Sequence, residues 1–365
     1  MTSLTTGGLR VWLRDSQEPY TPKDKLYYAL LSGENKHIAI GELESLLESV
    51  NARVNLIYPL ETLALVDTSA SKEQLARITK QSGYIRETGV SVTLAPEDPY
   101  RFPRHVENRV PQGVYWIVYE KHMKPEWDPG QQTIIKTIIT ANRHASYSRN
   151  GMILKVDHYP GFIHLGIRLE KKNYAEFVSR LPRRRPVFRP GTLDPILSRS
   201  IVNLSRPVEN TVYLDPFCGV GGFAIEAGLV GFNPVLCGDV DYHMMKGAVV
   251  NIKHYVKGKA LICYYGDAGR LPLKDSSVDR IVTDPPYGRT TSTRGVGRES
   301  VLRNFLKEAW RVLKPGGFLV YAYPAEVKPR NLAGETGFIV VGYYEMHVHR
   351  GLVRAIVVAR KPRAG

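Results

Sequence analysis

At 365 residues the chain exceeds one typical hydrophobic core and points to two or three domains. Its 43% apolar and 23% charged residues are those of an ordinary globular protein. No apolar run approaches membrane-spanning length and Met1 to Arg14 lacks the apolar core of a signal peptide, which excludes a membrane partner and indicates the cytoplasm. A net charge of +15 with pI near 9.6 calls for a polyanion, and Cys218, Cys237 and Cys263, without CxxC spacing, read as buried thiols rather than a disulfide frame or zinc site.

Leu26 to Leu31 reads as a short strand ending at Ser32-Gly33, followed by helical spacing at Ile40, Leu43, Leu46, Leu47 and Val50. Strand-like Val54 to Tyr58 and Leu63 to Val66 complete a small α/β module. A second block starts near Ser71, with strands at Val114 to Tyr119, Ile153 to Val156 and Phe162 to Leu169 and a helix near Gln132 to Asn142. Arg168 to Pro190 then holds eight basic and two acidic residues, including the proline-punctuated Arg180 to Pro186, which reads as a linker. This segment supplies +6 of the +7 carried by residues 1–190, and such clustering favours nucleic acid.

From Gly191 strands and helices alternate regularly, implying a mostly parallel sheet covered on both faces. The strands are Val212–Leu214, Val235–Gly238, Leu261–Tyr265, Arg280–Thr283, Phe318–Ala322, Phe338–Met346 and Arg354–Ala359. Only His347 to Val353 separates the last two, too short for a helical crossover, so they pair antiparallel. This is the outline of the class I methyltransferase fold: Rossmann-like, with a mostly parallel seven-stranded sheet.

Acidic residues stand at the C-terminal ends of four successive strands, where open α/β sheets bind ligands. Asp215 precedes Phe217-Cys218-Gly219-Val220-Gly221-Gly222, a glycine turn opening a helix, whose spacing does not suit a pyrophosphate. An acid before these glycines suits the ammonium of S-adenosylmethionine. Asp239, with Val240 and Asp241, can grip ribose hydroxyls and underlie adenine, and Gly266-Asp267-Ala268 places a carboxylate for the adenine amine. Each acid alone reads equally as a helix N-cap. The fourth end is Asp284-Pro285-Pro286-Tyr287-Gly288. A base amine is a poor nucleophile because its lone pair is delocalised, and accepting its N–H bonds draws that pair back onto nitrogen. Asp284 and the Pro285 carbonyl can each accept one N–H, Tyr287 can lie against the base, and Pro285 and Pro286 stiffen the turn. Arg289 and Arg294, in the hydroxyl-rich stretch 289–298, suit phosphates around a flipped nucleotide. His347 and His349 lack a third ligand, so no metal is expected.

These motifs resemble amino-methyltransferases acting on nucleic-acid bases. With Phe188 to Pro195, Arg199 to Leu204 and the opening Leu31-Ser32-Gly33-Glu34-Asn35, the ordering is similar to the archaeal tRNA guanine-N2-methyltransferases that modify position 10. The resemblance implies a ferredoxin-like module at 1–68, a THUMP RNA-binding domain at 69–170, a basic linker at 171–190 and the methyltransferase domain at 191–365. It also implies Thr192 near the methionine end of the cofactor. Relatives acting at position 6 usually carry Asn in place of Asp284, which favours position 10. The expected cofactor set is therefore Thr192, Asp215, Phe217, Gly219, Gly221, Asp239, Val240, Asp241, Gly266, Asp267, Ala268 and Asp284, with Arg183, Arg184, Arg185, Arg289 and Arg294 on tRNA. A small activating subunit is a candidate partner, and a monomer or heterodimer the expected state. The rivals are a DNA adenine or cytosine amino-methyltransferase and a non-catalytic tRNA-binding protein with a relic methyltransferase fold.

Overall fold

The computed structural model describes residues 26–286, 298–349 and 351–363. The first eight strands, β1 (Tyr27–Leu31), β2 (Val54–Leu60), β3 (Leu63–Thr68), β4 (Ile85–Pro96), β5 (Val114–Lys121), β6 (Ser146–Tyr147), β7 (Met152–Tyr159) and β8 (Phe162–Lys171), form one sheet in the order β2-β3-β1-β4-β8-β7-β5-β6. Helices α1 (Lys36–Ser49), α2 (Lys72–Gln81), α3 (Arg101–Val106) and α4 (Gln131–Ala141) pack on it.

Strand β4 is absent from the sequence reading, although it pairs with both β1 and β8. Its interior is polar: Glu87 accepts from the Tyr28 hydroxyl at 2.8 Å and pairs with Arg168 at 2.7 Å, while Thr88 bonds Thr79 at 2.6 Å. Polar side chains that satisfy one another inside the sheet leave no apolar alternation to read.

The chain continues through α5 (Ala175–Ser179) and α6 (Pro195–Asn203), then β9 (Tyr213–Asp215), α7 (Gly222–Val230), β10 (Val235–Asp239), α8 (Tyr242–Tyr255), β11 (Leu261–Tyr265), β12 (Val278–Thr283), α9 (Arg298–Val312), β13 (Leu313–Pro324), α10 (Pro329–Glu335), β14 (Ile339–His349) and β15 (Leu352–Arg360). The second sheet has the order β11-β10-β9-β12-β13-β15-β14. Neighbours are parallel from β11 to β13, and β15 is antiparallel to both β13 and β14. This is the expected α/β fold. Leu302, Phe305, Leu306 and Ala309 of α9 are fully buried, and Leu313, the next buried apolar residue after Val312, already belongs to β13. Among the described residues no helix is long and apolar enough to cross a membrane.

The two sheets share a core. Tyr27, Ile38, Leu43 and Leu47 from the first half and Ile201, Phe223, Ala248 and Ile356 from the second belong to one buried cluster. At its centre the fully buried Glu42 of α1 accepts the backbone N–H of Gly83 at 2.5 Å and of Tyr84 at 2.8 Å, the Ser200 hydroxyl at 3.2 Å and Asn203 Nδ2 at 2.7 Å. Gly83 must be glycine for this contact, because a Cβ there would lie 2.3 Å from the Ile196 carbonyl oxygen.

Residues 171–190 are packed rather than extended, with α5 and a 3-10 turn at Pro182–Arg184. Lys172 donates to Ser82 Oγ and to the Gly83 carbonyl, each at 2.7 Å, and burial pushes its ammonium down to about 7. Arg180 and Arg199 both grip the buried Glu226, at 2.9 and 2.7 Å, and both guanidinium groups lie over the Phe177 ring. Arg185, expected on tRNA, is 5% exposed, and its Nε donates to the Arg180 carbonyl. That expectation is corrected by its burial; Arg183 and Arg184 are exposed.

Removing one member of a buried charged network leaves its partners unsatisfied, at a cost of about 3–5 kcal/mol. Glu42→Ala should therefore lower unfolding free energy by about that amount in chemical denaturation. A loss under about 1 kcal/mol would show that the two halves hold together without this carboxylate.

Candidate active site

Strand β9 delivers Asp215 into the middle of the second sheet, 1% exposed, where its Oδ1 accepts the Thr283 hydroxyl at 2.6 Å and the Phe217 N–H at 3.2 Å. Burial pushes this carboxyl up to about 7, with the neighbouring charges of Asp239 and Asp284 adding and the two hydrogen bonds opposing. The chain then turns back on itself: Gly221 N–H reaches the Cys218 carbonyl at 2.8 Å, and Gly219 and Gly221 take φ of 54° and 88°. At Gly219 a Cβ would meet nothing within 4 Å, so the turn presents bare backbone to an open cavity while α7 begins behind it.

That cavity, about 610 Å³, has two halves. One is walled by Thr192, Asp215, Phe217, Gly219, Gly222 and Met244, the other by Pro324, Glu326, His349, Leu352 and Arg354, and Asp284, Pro285 and Pro286 also line it. Asp284 follows the last residue of β12, and Arg354 Nη2 of β15 lies 3.8 Å from its Oδ2.

Of the expected cofactor residues, Thr192, Asp215, Phe217, Gly219 and Asp284 therefore share one wall-to-wall space. Asp239, Val240, Asp241, Gly266 and Asp267 stand beside it, at the ends of β10 and β11. Asp239 braces the glycine turn, accepting Gly219 N–H at 2.8 Å and Asp241 N–H at 2.9 Å. Asp241 caps α8 through His243 and Met244, and Asp267 accepts Gly269 N–H at 2.8 Å. Gly221 backs onto Ile252, 3.0 Å from where a Cβ would lie, and Ala268 is buried in the core under α9. Tyr287, Arg289 and Arg294 lie outside the described residues.

Arg354, Met244, Glu326 and His349 were not singled out as site residues. Arg354 had a signal: a guanidinium at the head of the apolar run Ala355 to Ala359 requires a partner or a ligand. Away from the cavity, Glu120, His122 and Asp157 bring ligand atoms within 4.8 Å of one another. The Lys155 ammonium pairs with Glu120 and lies 3.4 Å from Asp157, so a protein cation already meets both carboxylates.

A family model described as an RMKL-like methyltransferase domain matches residues 182–356, which include every residue of the cavity wall. The tRNA (guanine(10)-N2)-dimethyltransferase of Methanocaldococcus jannaschii is 30% identical over 366 residues, covering 91% of this chain and 99% of that protein. The chain belongs to that family. The corresponding enzyme of Methanothermobacter thermautotrophicus is 40% identical over 195 residues, covering 53% of this chain and 56% of its own length. In fold the chain resembles TrmN from Thermus thermophilus, at a TM-score of 0.50 and 18% identity over 93% of this chain and 100% of that one.

The donor set fits S-adenosylmethionine: a carboxylate for its ammonium, bare glycine backbone for close approach, and a helix N-terminus facing the same space. Asp215 must ionise to meet that ammonium. Because its carboxyl is raised to about 7, its stabilising contribution to the ligand-free fold is present at low pH and lost as pH rises through about 7. Cofactor binding follows the opposite course. Affinity should rise by up to about tenfold per pH unit from about pH 5.5 and level off above 7, with proton release on binding. Calorimetry in two buffers of different ionisation enthalpy measures this, and Asp215→Asn should flatten the profile. A flat wild-type profile without proton release would remove Asp215 from the ammonium.

Proposed function

We propose that this protein transfers methyl groups from S-adenosylmethionine to the exocyclic N2 amine of the guanosine at position 10 of tRNA, in two successive transfers. The observation that carries this is one cavity holding both the β9–α7 glycine turn and the Asp284-Pro285 carbonyl and carboxylate at the end of β12. S-adenosylmethionine supplies the methyl group when bound. The chain itself orients the amine: Asp284 accepts one N–H and the Pro285 carbonyl the other, so the nitrogen lone pair points towards the cofactor half. Once the N–C bond forms, the proton on nitrogen becomes acidic and Asp284 receives it.

The N-terminal block, read as a ferredoxin-like module over 1–68 and a THUMP domain over 69–170, holds the tRNA end, with Arg183 and Arg184 on phosphates beside exposed Lys171 and Arg189. The 171–190 stretch and the shared core around Glu42 support a fixed spacing between that grip and the 191–365 methyltransferase domain. Position is then measured rather than read from sequence. The reading includes a cytoplasmic location and a monomer, or a heterodimer with a small activating subunit.

Incubation with tRNA and S-adenosylmethionine, digestion and nucleoside mass spectrometry should give N2-methyl- and N2,N2-dimethylguanosine, and duplex DNA should remain unmodified. Asp284→Ala should lower kcat by roughly 10² or more with cofactor affinity nearly unchanged. Near wild-type turnover in that variant would remove Asp284 from the reaction.

A further inference from the structure

We propose that Cys237 and Cys263 are an oxidisable pair whose disulfide ties the edge strand β11 to β10, behind the cofactor half of the cavity. The two residues are register partners on neighbouring parallel strands, and their sulfurs lie 3.1 Å apart. Neighbouring strands stand about 4.8 Å apart, within the Cα spacing of about 4.4–6.8 Å that a disulfide spans. The bond therefore needs a change of side-chain torsion rather than a shift of backbone. Spacing along the chain gives no sign of it, because 237 and 263 meet only through the pairing of β10 with β11.

The sheet has a use for such a tie. Among the described residues β11 pairs with β10 alone, and no residue of β11 is buried: Ile262 and Tyr265 are 52% and 61% exposed and the other three are half-buried. Little apolar burial holds the strand in place. Its end nevertheless supplies Gly266, whose N–H donates to the Asp239 carbonyl at 3.0 Å, while Asp239 Oδ2 receives Gly219 N–H from the glycine turn. Fraying of β11 would loosen the wall that Asp239 braces.

The cross-link forms by a two-electron oxidation. A peroxide converts the half-buried Cys263 thiol to a sulfenic acid and releases one water. The Cys237 sulfur then attacks that sulfur, the S–S bond forms as the S–O bond breaks, and hydroxide leaves with the Cys237 proton as a second water. Two thiols thus give up two electrons and two protons, which the peroxide takes. Contact with Cys237 and burial hold the Cys263 thiol far above its ordinary value, and contact with Cys218 and burial do the same to Cys237. Thiols so weakly acidic oxidise slowly, but they are equally poor leaving groups, so the bond once made resists exchange with small thiols.

The test uses the full-length protein, treated with hydrogen peroxide, alkylated under denaturing conditions and digested without reductant. Mass spectrometry should find the peptides of Cys237 and Cys263 joined, two hydrogens lighter than their sum, with Cys218 alkylated. Relative to the reduced protein, amide exchange in 261–265 should slow by about tenfold. The unfolding temperature should rise by about 5 °C, and a phosphine reductant should reverse both changes. Cys263→Ala and Cys263→Ser should show neither gain, whereas Cys218→Ala should keep both. Three alkylated thiols after oxidation, a Cys218–Cys237 link instead, or a stability gain that survives in the Cys263 variants would overturn the proposal.

Discussion

The Glu42 carboxylate of α1 meets four donors from two other parts of the chain, the turn entering β4 and, through Ser200 and Asn203, α6, and so joins three segments. An ionised group without water is tolerable only when its lone pairs are filled, so those three segments have little freedom to move apart. Because α6 precedes β9 and packs against α7, the helix of the glycine turn, a constraint on α6 is a constraint on the catalytic cavity. The N-terminal sheet is thereby held to the glycine-turn cavity through one continuous core.

The same economy governs the positive charge. Composition concentrates cations in 168–190, yet Arg168, Lys172, Arg180 and Arg185 are spent inside the molecule, on Glu87, the Ser82–Gly83 turn, Glu226 and the Arg180 carbonyl. Lys171, Arg183, Arg184 and Arg189 are the cations of that stretch left on the surface. A run of basic residues therefore does two jobs here: half of it bolts the connecting stretch to α7 and α2, and half faces outward.

Much of the methyltransferase domain was visible in its sequence because parallel strands are apolar throughout and their ligand-facing ends carry chemistry. Asp215 and Asp284 were found that way and do share a cavity. Features hidden from that reading have local causes. Strand β4 carries its polar residues inward, where Glu87 and Thr88 find partners only in the fold. Asp241 and Asp267 satisfy backbone N–H groups of their own loops, a role indistinguishable in sequence from ligand binding. Arg354 comes to Asp284 only because the closing hairpin lays β15 against β13, a long-range pairing that no local pattern encodes.

Rigid coupling between the N-terminal sheet and the Asp284 cavity is tested most directly with tRNAs whose acceptor stem is lengthened or shortened by one base pair. Each change shifts the target by about 3 Å and roughly a tenth of a turn of the A-form stem relative to the tRNA end. Misplacement of about 1 Å can already cost 10²-fold, so kcat/KM at guanosine 10 should fall by about 100-fold or more with either change. Methylation of the same guanosine at an undiminished rate in both altered tRNAs would contradict the account.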